Sequence, residues 1–503
     1  MLAVTCEQMR SAEALLIKSG VSEESLMEHA GREIAKVVAS FFPRPGKVVG
    51  FIGTGHNGGD ALVALRYLRQ WGWKVAVECA GQEKRLKKLS VQMRKMLGGD
   101  GVRTLEQLEE RASGALPGPL VLLDGLLGVG ASGPLRGPLL ELSKKMNQLR
   151  LTRGAYTVAM DLPSGIDGNT GSVYHGAVIA DYTVTVGAAK VGLLQSSACN
   201  HVGRIALVEL PELDLSGIAS PDVCLNSAQS LVPNVLRRDH EYHKGNAGTV
   251  SIVAGSRGML GAAVLAATGA LRAGAGIVRL FVSASIYNQI VGMLPAEVMV
   301  VPCTSYEEVY PYPTDSYVVG PGIGVGNQSE QGQFCEFLKN LTKPMVLDAD
   351  ALNRIAAAGE QELLTANVVL TPHPGEMKRL LPETTGYTRE QIAKLFCALY
   401  PSTLLYKGSK TIITRRHFPI CVNATGHAGM ASGGQGDVLS GVIGACLARG
   451  LSQFEAARLG SWACGRAAEL AVSIGGCSEE SVLATDVLQH LGRAFEDLRT
   501  GGA

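Results

Sequence analysis

The stretch Asn423-Ala-Thr-Gly-His-Ala-Gly-Met-Ala-Ser-Gly-Gly-Gln-Gly-Asp437-Val-Leu-Ser-Gly441 sets one carboxylate, Asp437, between a glycine run and an apolar helical pattern. That pattern consists of Val438, Leu439, Val442, Ile443, Cys446 and Leu447. A glycine-rich turn opening a helix aims backbone N–H groups and the positive end of the helix dipole at one spot, which suits a phosphate. A carboxylate beside an anion site is electrostatically awkward. The chemistry that calls for one there is acceptance of a proton from an attacking hydroxyl. Taken alone, Asp437 also fits as a first-turn charge worth ~0.3–1 kcal/mol.

The first half of the chain repeats the theme. Gly53-Thr-Gly-His56-Asn57-Gly58-Gly59-Asp60 follows the apolar run Lys47 to Ile52 and precedes Leu62, Leu65 and Leu68. Strand, glycine-rich loop, helix is a phosphate-binding arrangement, here without the Gly-Lys-Ser/Thr of a P-loop. Leu120-Val-Leu-Leu123 leads to Asp124 and then Gly125-Leu-Leu-Gly128-Val129-Gly130-Ala131-Ser132-Gly133-Pro134. Thr157-Val-Ala-Met160 leads to Asp161-Leu-Pro-Ser164-Gly-Ile-Asp167-Gly. Carboxylates just past the C-terminal ends of parallel strands fall in the crevice where open α/β sheets bind ligands. Turn chemistry around Pro163, Gly165 and Gly168 would account for Asp161 and Asp167 singly, and helix capping for Asp124. Three polar strand ends converging in one sheet are harder to set aside.

The elements that must position these residues read as two α/β units. Leu26, Met27, Ala30, Ile34, Val37 and Val38 recur at helical spacing and predict a helix ending before Pro43. Further on, Thr249 to Ala254, Ile277 to Val282, Val318-Val-Gly320-Pro-Gly322, Pro344-Met-Val-Leu347 and Val368-Val-Leu370 alternate with helical stretches. Each strand ends in polar or glycine residues, which predicts a second parallel sheet with one crevice. The 503-residue length exceeds one ordinary core. Leu210 to Pro221 breaks the periodicity with Pro, Asp, Ser and Gly and reads as the connection. The net charge of +1 argues against a general nucleic-acid or membrane-surface role. Eleven scattered cysteines without a C-x-x-C pair read as buried apolar residues in a reducing compartment, neither a disulfide framework nor a zinc site. No apolar run reaches membrane-spanning length and no signal peptide is apparent, so a cytoplasmic protein is expected. His240 and His243 lack a nearby carboxylate or thiol and read as surface or hydrogen-bonding residues.

The motifs Gly53–Asp60, Asp124 with Gly128–Pro134, and Asp161-Leu-Pro-Ser164-Gly together resemble the NAD(P)HX epimerase domain, the YjeF N-terminal family. The resemblance continues through Asp181-Tyr-Thr-Val-Thr-Val-Gly-Ala-Ala-Lys190-Val-Gly192. It implies a Rossmann-like three-layer domain over residues 1–218, binding hydrated NADH or NADPH (NADHX, NADPHX). The binding residues would be His56, Asn57, Gly58, Gly59, Asp60, Gly128, Val129, Gly130, Ala131, Ser132, Gly133 and Pro134, with Asp161 catalytic. It also implies K+ held by Asn57, Asp124 and Ser164, whose oxygens suit a hard cation. His56 and Ala61 depart from the family's usual Asn and Gly.

Residues 230–500 resemble the ADP/ATP-dependent NAD(P)HX dehydratase of the ribokinase-like superfamily. The motifs are His243-Lys-Gly-Asn-Ala-Gly, Gly320-Pro-Gly-Ile-Gly, Asp348-Ala-Asp-Ala-Leu-Asn, Thr371-Pro-His-Pro-Gly-Glu-Met and Gly433-Gly-Gln-Gly-Asp437. The match implies that Gly322, His373, Pro374, Gly375, Glu376, Met377, Lys378 and Arg379 face the hydrated nucleotide, with Asp437 catalytic. ADP or ATP would be held by Lys407, Gly408, Ser409, Lys410 and Thr411, together with Thr425, Gly426, His427, Ala428, Gly429, Met430, Ala431, Ser432, Gly433 and Gly434, and Mg2+ would bridge its phosphates. His427-Ala428 and Gln435 depart from the family pattern, inside the nucleotide segment.

The resemblance thus implies a fused, homo-oligomeric repair enzyme that epimerises R and S hydrates and dehydrates the S form at the expense of ADP or ATP. Two rivals remain at this point: a small-alcohol kinase with a regulatory N-terminal domain, since phosphate-binding motifs alone do not separate them, and a protein whose N-terminal half only binds.

Overall fold

The computed structural model describes residues 2–81, 86–98, 102–110, 118–215, 222–235 and 237–501. It divides into two units, Met1–Leu225 and Asn226–Gly502. Residues 216–221 of the predicted connection lie outside the described residues.

In the first unit the strands are β1 Lys47–Ile52, β2 Lys74–Cys79, β3 Leu120–Gly125, β4 Tyr156–Met160, β5 Tyr182–Val186 and β6 Arg204–Val208. They form one parallel sheet in the order β2-β1-β3-β4-β5-β6. Near-continuous apolar strands such as Val48 to Ile52 and Val121 to Leu123 need cover on both faces, and helices supply it. Helix α1 Cys6–Lys18 places Met9 in a smaller cluster with Val4, Ala188 and Leu210, while on one face lie α2 Glu23–Phe41, α3 His56–Gln70 and α4 Lys88–Leu97, which pack Ile34, Val38, Leu62, Leu65 and Met93 against Val48, Ile52 and Leu123. On the other, α5 Leu105–Glu110 and α6 Pro138–Arg153 bring Leu105, Leu108 and Met146 against Val49, Phe51 and Leu122. The strand order reverses between β1 and β3, the switch point at which such sheets open a crevice. Parallel register pairs Phe51 with Asp124 and Ile52 with Gly125, so the loop after β1 and the end of β3 emerge side by side.

The structure differs from the expectation at α3. The helix begins at His56, not near Leu62, and His56 to Asp60 form its first turn. The glycines there serve close approach: a Cβ at Gly58 would lie 2.5 Å from the Gly53 carbonyl oxygen, and one at Gly59 2.5 Å from Met27 Cε.

The second sheet contains β7 Val223–Asn226, inside which the division between units falls, and β8 Thr249–Val253, β9 Ile277–Ser283, β10 Val298–Cys303, β11 Ser316–Val319, β12 Met345–Leu347, β13 Val368–Leu370, β14 Thr403–Tyr406, β15 Ile412–Thr414 and β16 Ile420–Asn423. Their order is β10-β9-β8-β11-β12-β13-β14-β15-β16-β7. Strands β8 to β14 are parallel, as expected, but β15 runs antiparallel to both β14 and β16, so the sheet is mixed. The short links β14–β15 and β15–β16 allow hairpins and leave no room for a crossover helix. Here the switch point lies between β8 and β11.

The glycine-opened helix Gln435–Ala448 runs against Leu260–Arg272, with almost no gap. A Cβ at Gly269 would sit 2.7 Å from the Val438 carbonyl oxygen, and one at Gly441 would press directly on the Ala266 carbonyl. Alanine improves helix propensity by ~1 kcal/mol, but overpacking costs ~1–3 kcal/mol and a contact onto rigid backbone lies at the upper end. Gly441→Ala is therefore expected to destabilise the second unit by ~1–2 kcal/mol, read as a lower urea midpoint; an unchanged or higher midpoint would refute the close packing.

Cys224 and Cys421 are each disulfide-bonded, correcting the expectation of reduced cysteines throughout; the other nine form no disulfide. Among the described residues no helix is long and apolar enough to cross a membrane.

Candidate active sites

At the switch point of the first unit, Asp124 is wholly buried. Its Oδ2 accepts the Ser164 N–H at 2.7 Å, and its Oδ1 accepts the Ser164 hydroxyl at 2.7 Å and the Leu126 N–H at 3.2 Å. The Ser164 oxygen accepts the Leu127 N–H at 3.0 Å, and the Asn57 amide donates to the Leu127 carbonyl at 2.7 Å. Asn57, Asp124 and Ser164 thus meet around one turn. Burial pushes the Asp124 carboxyl up to about 6, against the pull of the Ser164 and Leu126 hydrogen bonds, and no basic side chain contributes. A buried carboxylate without a protein cation, beside an amide and a hydroxyl, fits a hard monovalent cation. Among the described residues no cluster of three or more His, Cys, Asp or Glu forms a metal site.

Leu127, Gly128, Ala131, Ser132, Gly133 and the turn Leu162 to Ile166 line one depression, so part of the predicted Gly128–Pro134 loop does meet Ser164. Asp161 closes β4 with φ +67°, a left-handed value that costs a non-glycine residue ~1 kcal/mol or more. Its Oδ1 accepts the Thr185 hydroxyl at 3.2 Å, the Val186 N–H at 3.1 Å and the ammonium of Lys190. Burial, then the charges of Asp161 and Glu13, hold Asp60 well above the usual carboxylate range. Burial and Asp161 likewise raise Glu13, while Lys190 pulls it back. His56 is exposed on the first turn of α3, with its pKa lowered by partial desolvation and by Lys87.

In the second unit the residues after β12, β13 and β14 face the N-terminus of the helix Gln435–Ala448. Gly434 caps that helix at φ +89°, a conformation that favours glycine. Lys407 donates to Asp348 Oδ1 at 2.9 Å and lies 3.9 Å from Glu376 Oε2; Ser440 donates to Asp348 Oδ2 at 2.7 Å. A side chain at Gly436 would meet Lys407 Nζ at 3.2 Å, so the lysine stands against the helix start. Burial alone would lower the Lys407 pKa, but Asp348, Glu376 and Asp437 outweigh it and the group stands above the ordinary lysine value. The same cluster pushes Asp437 up to about 7: burial first, then Asp348, with Lys407 opposing and Asp350 and Glu376 adding. Several carboxylates share one ammonium, and Asp437 is left as a base poised near neutrality.

Around this centre, Glu376 accepts the His373 N–H at 2.8 Å, and His373 Nδ1 accepts the Gly375 N–H at 2.9 Å, which caps the short helix that begins at Pro374. Arg379 donates to Asn353 at 2.7 Å, and Asn353 to Asp350 at 3.3 Å. Gly322 has φ +63°, and a Cβ there would lie 2.9 Å from the Met259 carbonyl oxygen. Lys378 is exposed, but Met377 is in the core with no exposed surface, so its side chain does not reach the crevice.

The predicted nucleotide segments are supported from below. Arg389 donates to the carbonyls of Tyr406, Lys407 and Lys410, propping the turn Lys407–Thr411; within it Gly408 and Ser409 are exposed and Lys410 is buried. Thr425 spends its hydroxyl proton on the Trp462 carbonyl, and the Gly426 N–H is taken by Glu469. Gly429 is buried, whereas Ala428, Ala431 and Gly433 are exposed and His427, Met430, Ser432 and Gly434 half-buried. Gln435 donates to the Ser432 hydroxyl at 3.2 Å, and its own Oε1 is buried without a hydrogen-bond partner. Sequence reasoning did not single out Lys190, Glu13, Asp348 or Ser440 as site residues. For Lys190 the signal was available, since one lysine inside Gly187-Ala-Ala-Lys-Val-Gly-Leu-Leu must find a partner.

Two family models match the chain: YjeF-related protein N-terminus over residues 23–192, and NAD(P)H-hydrate dehydratase over 250–491. A bifunctional NAD(P)H-hydrate repair enzyme from Coxiella burnetii is 33% identical over 494 residues, covering 96% of this chain and 97% of the relative. The enzyme of the same description from Escherichia coli is 33% identical over 483 residues, covering 94% of this chain and 90% of the relative. The structure of the ADP/ATP-dependent NAD(P)H-hydrate dehydratase from Bacillus subtilis, co-crystallized with ATP/Mg2+, is 27% identical with TM-score 0.46, covering 55% of this chain and 98% of that one. With both family models in order and full-length relatives above 30% identity, the chain belongs to the bifunctional NAD(P)H-hydrate repair enzyme family.

Proposed function

We propose that residues 1–218 epimerise the R and S hydrates of NADH and NADPH and that residues 230–500 dehydrate the S hydrate at the expense of ADP or ATP. The observation that carries the second activity is Asp437: a carboxyl pushed up to about 7, in the first turn of a glycine-opened helix, within a cluster sharing Lys407. Asp437 takes the proton of the substrate hydroxyl as that oxygen attacks the terminal phosphorus. The backbone N–H groups of Gly434 to Gly436 face the charge on the transferring group. Hydroxide leaves poorly and phosphate leaves well, so the phosphorylated carbon then loses phosphate and a double bond forms as the neighbouring C–H proton departs. Mg2+, carried by the nucleotide phosphates, would neutralise their charge. Gly322, His373, Pro374, Gly375, Glu376, Lys378 and Arg379 bound the hydrated nicotinamide, and Lys407–Thr411 with Thr425–Gly434 the adenine nucleotide.

In the first unit the hydrate lies over Gly128–Pro134 and the turn His56–Asp60. The hydrated carbon bears its hydroxyl beside the ring nitrogen. Asp161 removes the hydroxyl proton, the C–N bond opens to an aldehyde as the nitrogen takes up a proton, and closure on the other face inverts the centre. K+ held by Asn57, Asp124 and Ser164 would stabilise negative charge at that site. Potassium chloride at ~100 times its dissociation constant is expected to stabilise the wild-type unit by ~2.7 kcal/mol. The readout is the first unit's melting point in KCl against tetramethylammonium chloride. An equal gain in Asp124→Ala would remove Asp124 from the site.

Homo-oligomeric assembly and cytoplasmic residence complete the reading; light scattering tests the first and fractionation the second. The test of the function is direct: product NADH, read at its absorbance band, should appear in proportion to adenine nucleotide consumed. Consumption without NADH would favour the small-alcohol kinase.

A further inference from the structure

Lys190 is one of the largest fully buried side chains in the protein, and it is an ammonium. Burying such a charge costs several kcal/mol unless partners answer it. Its three protons have three acceptors: Asp161 Oδ1, the Val186 carbonyl at 2.9 Å and the Thr185 hydroxyl at 3.3 Å. The backbone around it is pinned as well, with Val4 donating to the Ala189 carbonyl at 2.9 Å and Val191 to the Val4 carbonyl at 3.0 Å. Everything that Lys190, Thr185 and Val186 donate to Asp161 falls on Oδ1, so the network turns Oδ2 away from itself. Asp161 meanwhile keeps its left-handed backbone, which persists only where surroundings over-determine it.

We propose that Lys190 is a positioning residue of the epimerase: it fixes Asp161 so that Oδ2 is presented to the substrate hydroxyl. The inference rests on the reading of Asp161 as the epimerase base. A core lysine of purely structural purpose would need one carboxylate of opposite charge, whereas here acidic groups crowd the pair from other elements. Asp60 on α3, and Glu13 and Cys6 on α1, lie within electrostatic reach of Asp161, and Asp167 and Arg10 within reach of Cys6. With Lys190 removed, Asp161 Oδ1 keeps only the Thr185 hydroxyl and the Val186 N–H, and the charged donor that fixes the orientation of the carboxylate is gone.

The test is Lys190→Met in the full chain, with kcat and KM for epimerisation of R-hydrate measured separately and S-hydrate dehydration as the control. Expected are a loss of ~10²-fold or more in kcat with little change in KM, and unchanged dehydration. A folded Lys190→Met with wild-type kcat would overturn the proposal. Should that variant fail to fold, Lys190→Arg decides: it keeps the charge but cannot place three donors at one point, so a lower kcat at an unchanged KM is expected, and a wild-type kcat overturns the proposal. Asp161→Asn separates the two readings. If it retains epimerisation, the reading of Asp161 falls; if it is inactive while Lys190→Met is normal, only the role of Lys190 falls.

Discussion

Asp437→Asn is expected to lower NAD(P)H-hydrate dehydration by ~10²–10⁴-fold, the usual effect of removing a general base, while leaving adenine-nucleotide binding largely intact. The amide keeps the shape of the helix start and removes only the proton acceptor. Because the Asp437 carboxyl is pushed up to about 7 by burial and by Asp348, a testable pH dependence accompanies the mutation. A base works in its ionised form, so kcat/KM of the free enzyme should fall about tenfold per unit as pH drops below about 7 and level off above it. The asparagine variant should retain no such limb. Stopped assays of S-hydrate loss at pH 5.5 to 8.5, with nucleotide affinity measured by calorimetry, check both parts. Near wild-type turnover in Asp437→Asn, or a wild-type limb in that variant, would contradict the assignment.

Asp124→Ala is expected to abolish epimerisation and to leave dehydration of supplied S-hydrate unchanged. Asp124 is the acceptor that holds Ser164 by both its N–H and its hydroxyl, and Ser164 in turn holds Leu127 at the head of the Gly128 loop. Truncation leaves those donors unsatisfied in a buried turn at ~1–3 kcal/mol, on top of losing the charge proposed to hold K+. Asp124→Asn is the companion: it refills the space without the charge, so a melting point restored towards wild type with epimerisation still lost would assign the defect to charge rather than to collapse. The measurement is R-hydrate conversion by chromatography beside S-hydrate dehydration. A parallel fall of both activities in a folded variant would break the two-site account.

Much of the site was legible because glycine and carboxylate positions at strand ends are read by residue type. Asp124, Asp161 and Ser164 were placed by the apolar runs before them, and Asp437 by the glycines before it. The antiparallel β15 and β16 were not, because three- and four-residue apolar runs carry no sign of direction; only the pairing with β14 sets it. The start of α3 was read too late, since Gly58 and Gly59 suggest loop by propensity while their packing on Gly53 and Met27 requires glycine inside a helix. Met377 closes the motif expected to face the crevice, but its place on the short helix that begins at Pro374 turns it into the core. The Lys407–Asp348 pair joins positions far apart in sequence, which local pattern cannot join.

The central claim, one chain carrying two successive activities, is tested most directly by a single time course. Pure R-hydrate of NADH is incubated with the full chain, KCl, Mg2+ and ADP or ATP, and R-hydrate, S-hydrate, nucleotide and NADH are followed together. R-hydrate is expected to disappear, S-hydrate to appear only transiently, and NADH to form one for one with nucleotide consumed, faster than spontaneous epimerisation allows. Asp124→Ala should stall with R-hydrate intact, and Asp437→Asn should stop at the R/S mixture. NADH formation from R-hydrate by Asp124→Ala at the wild-type rate would contradict it.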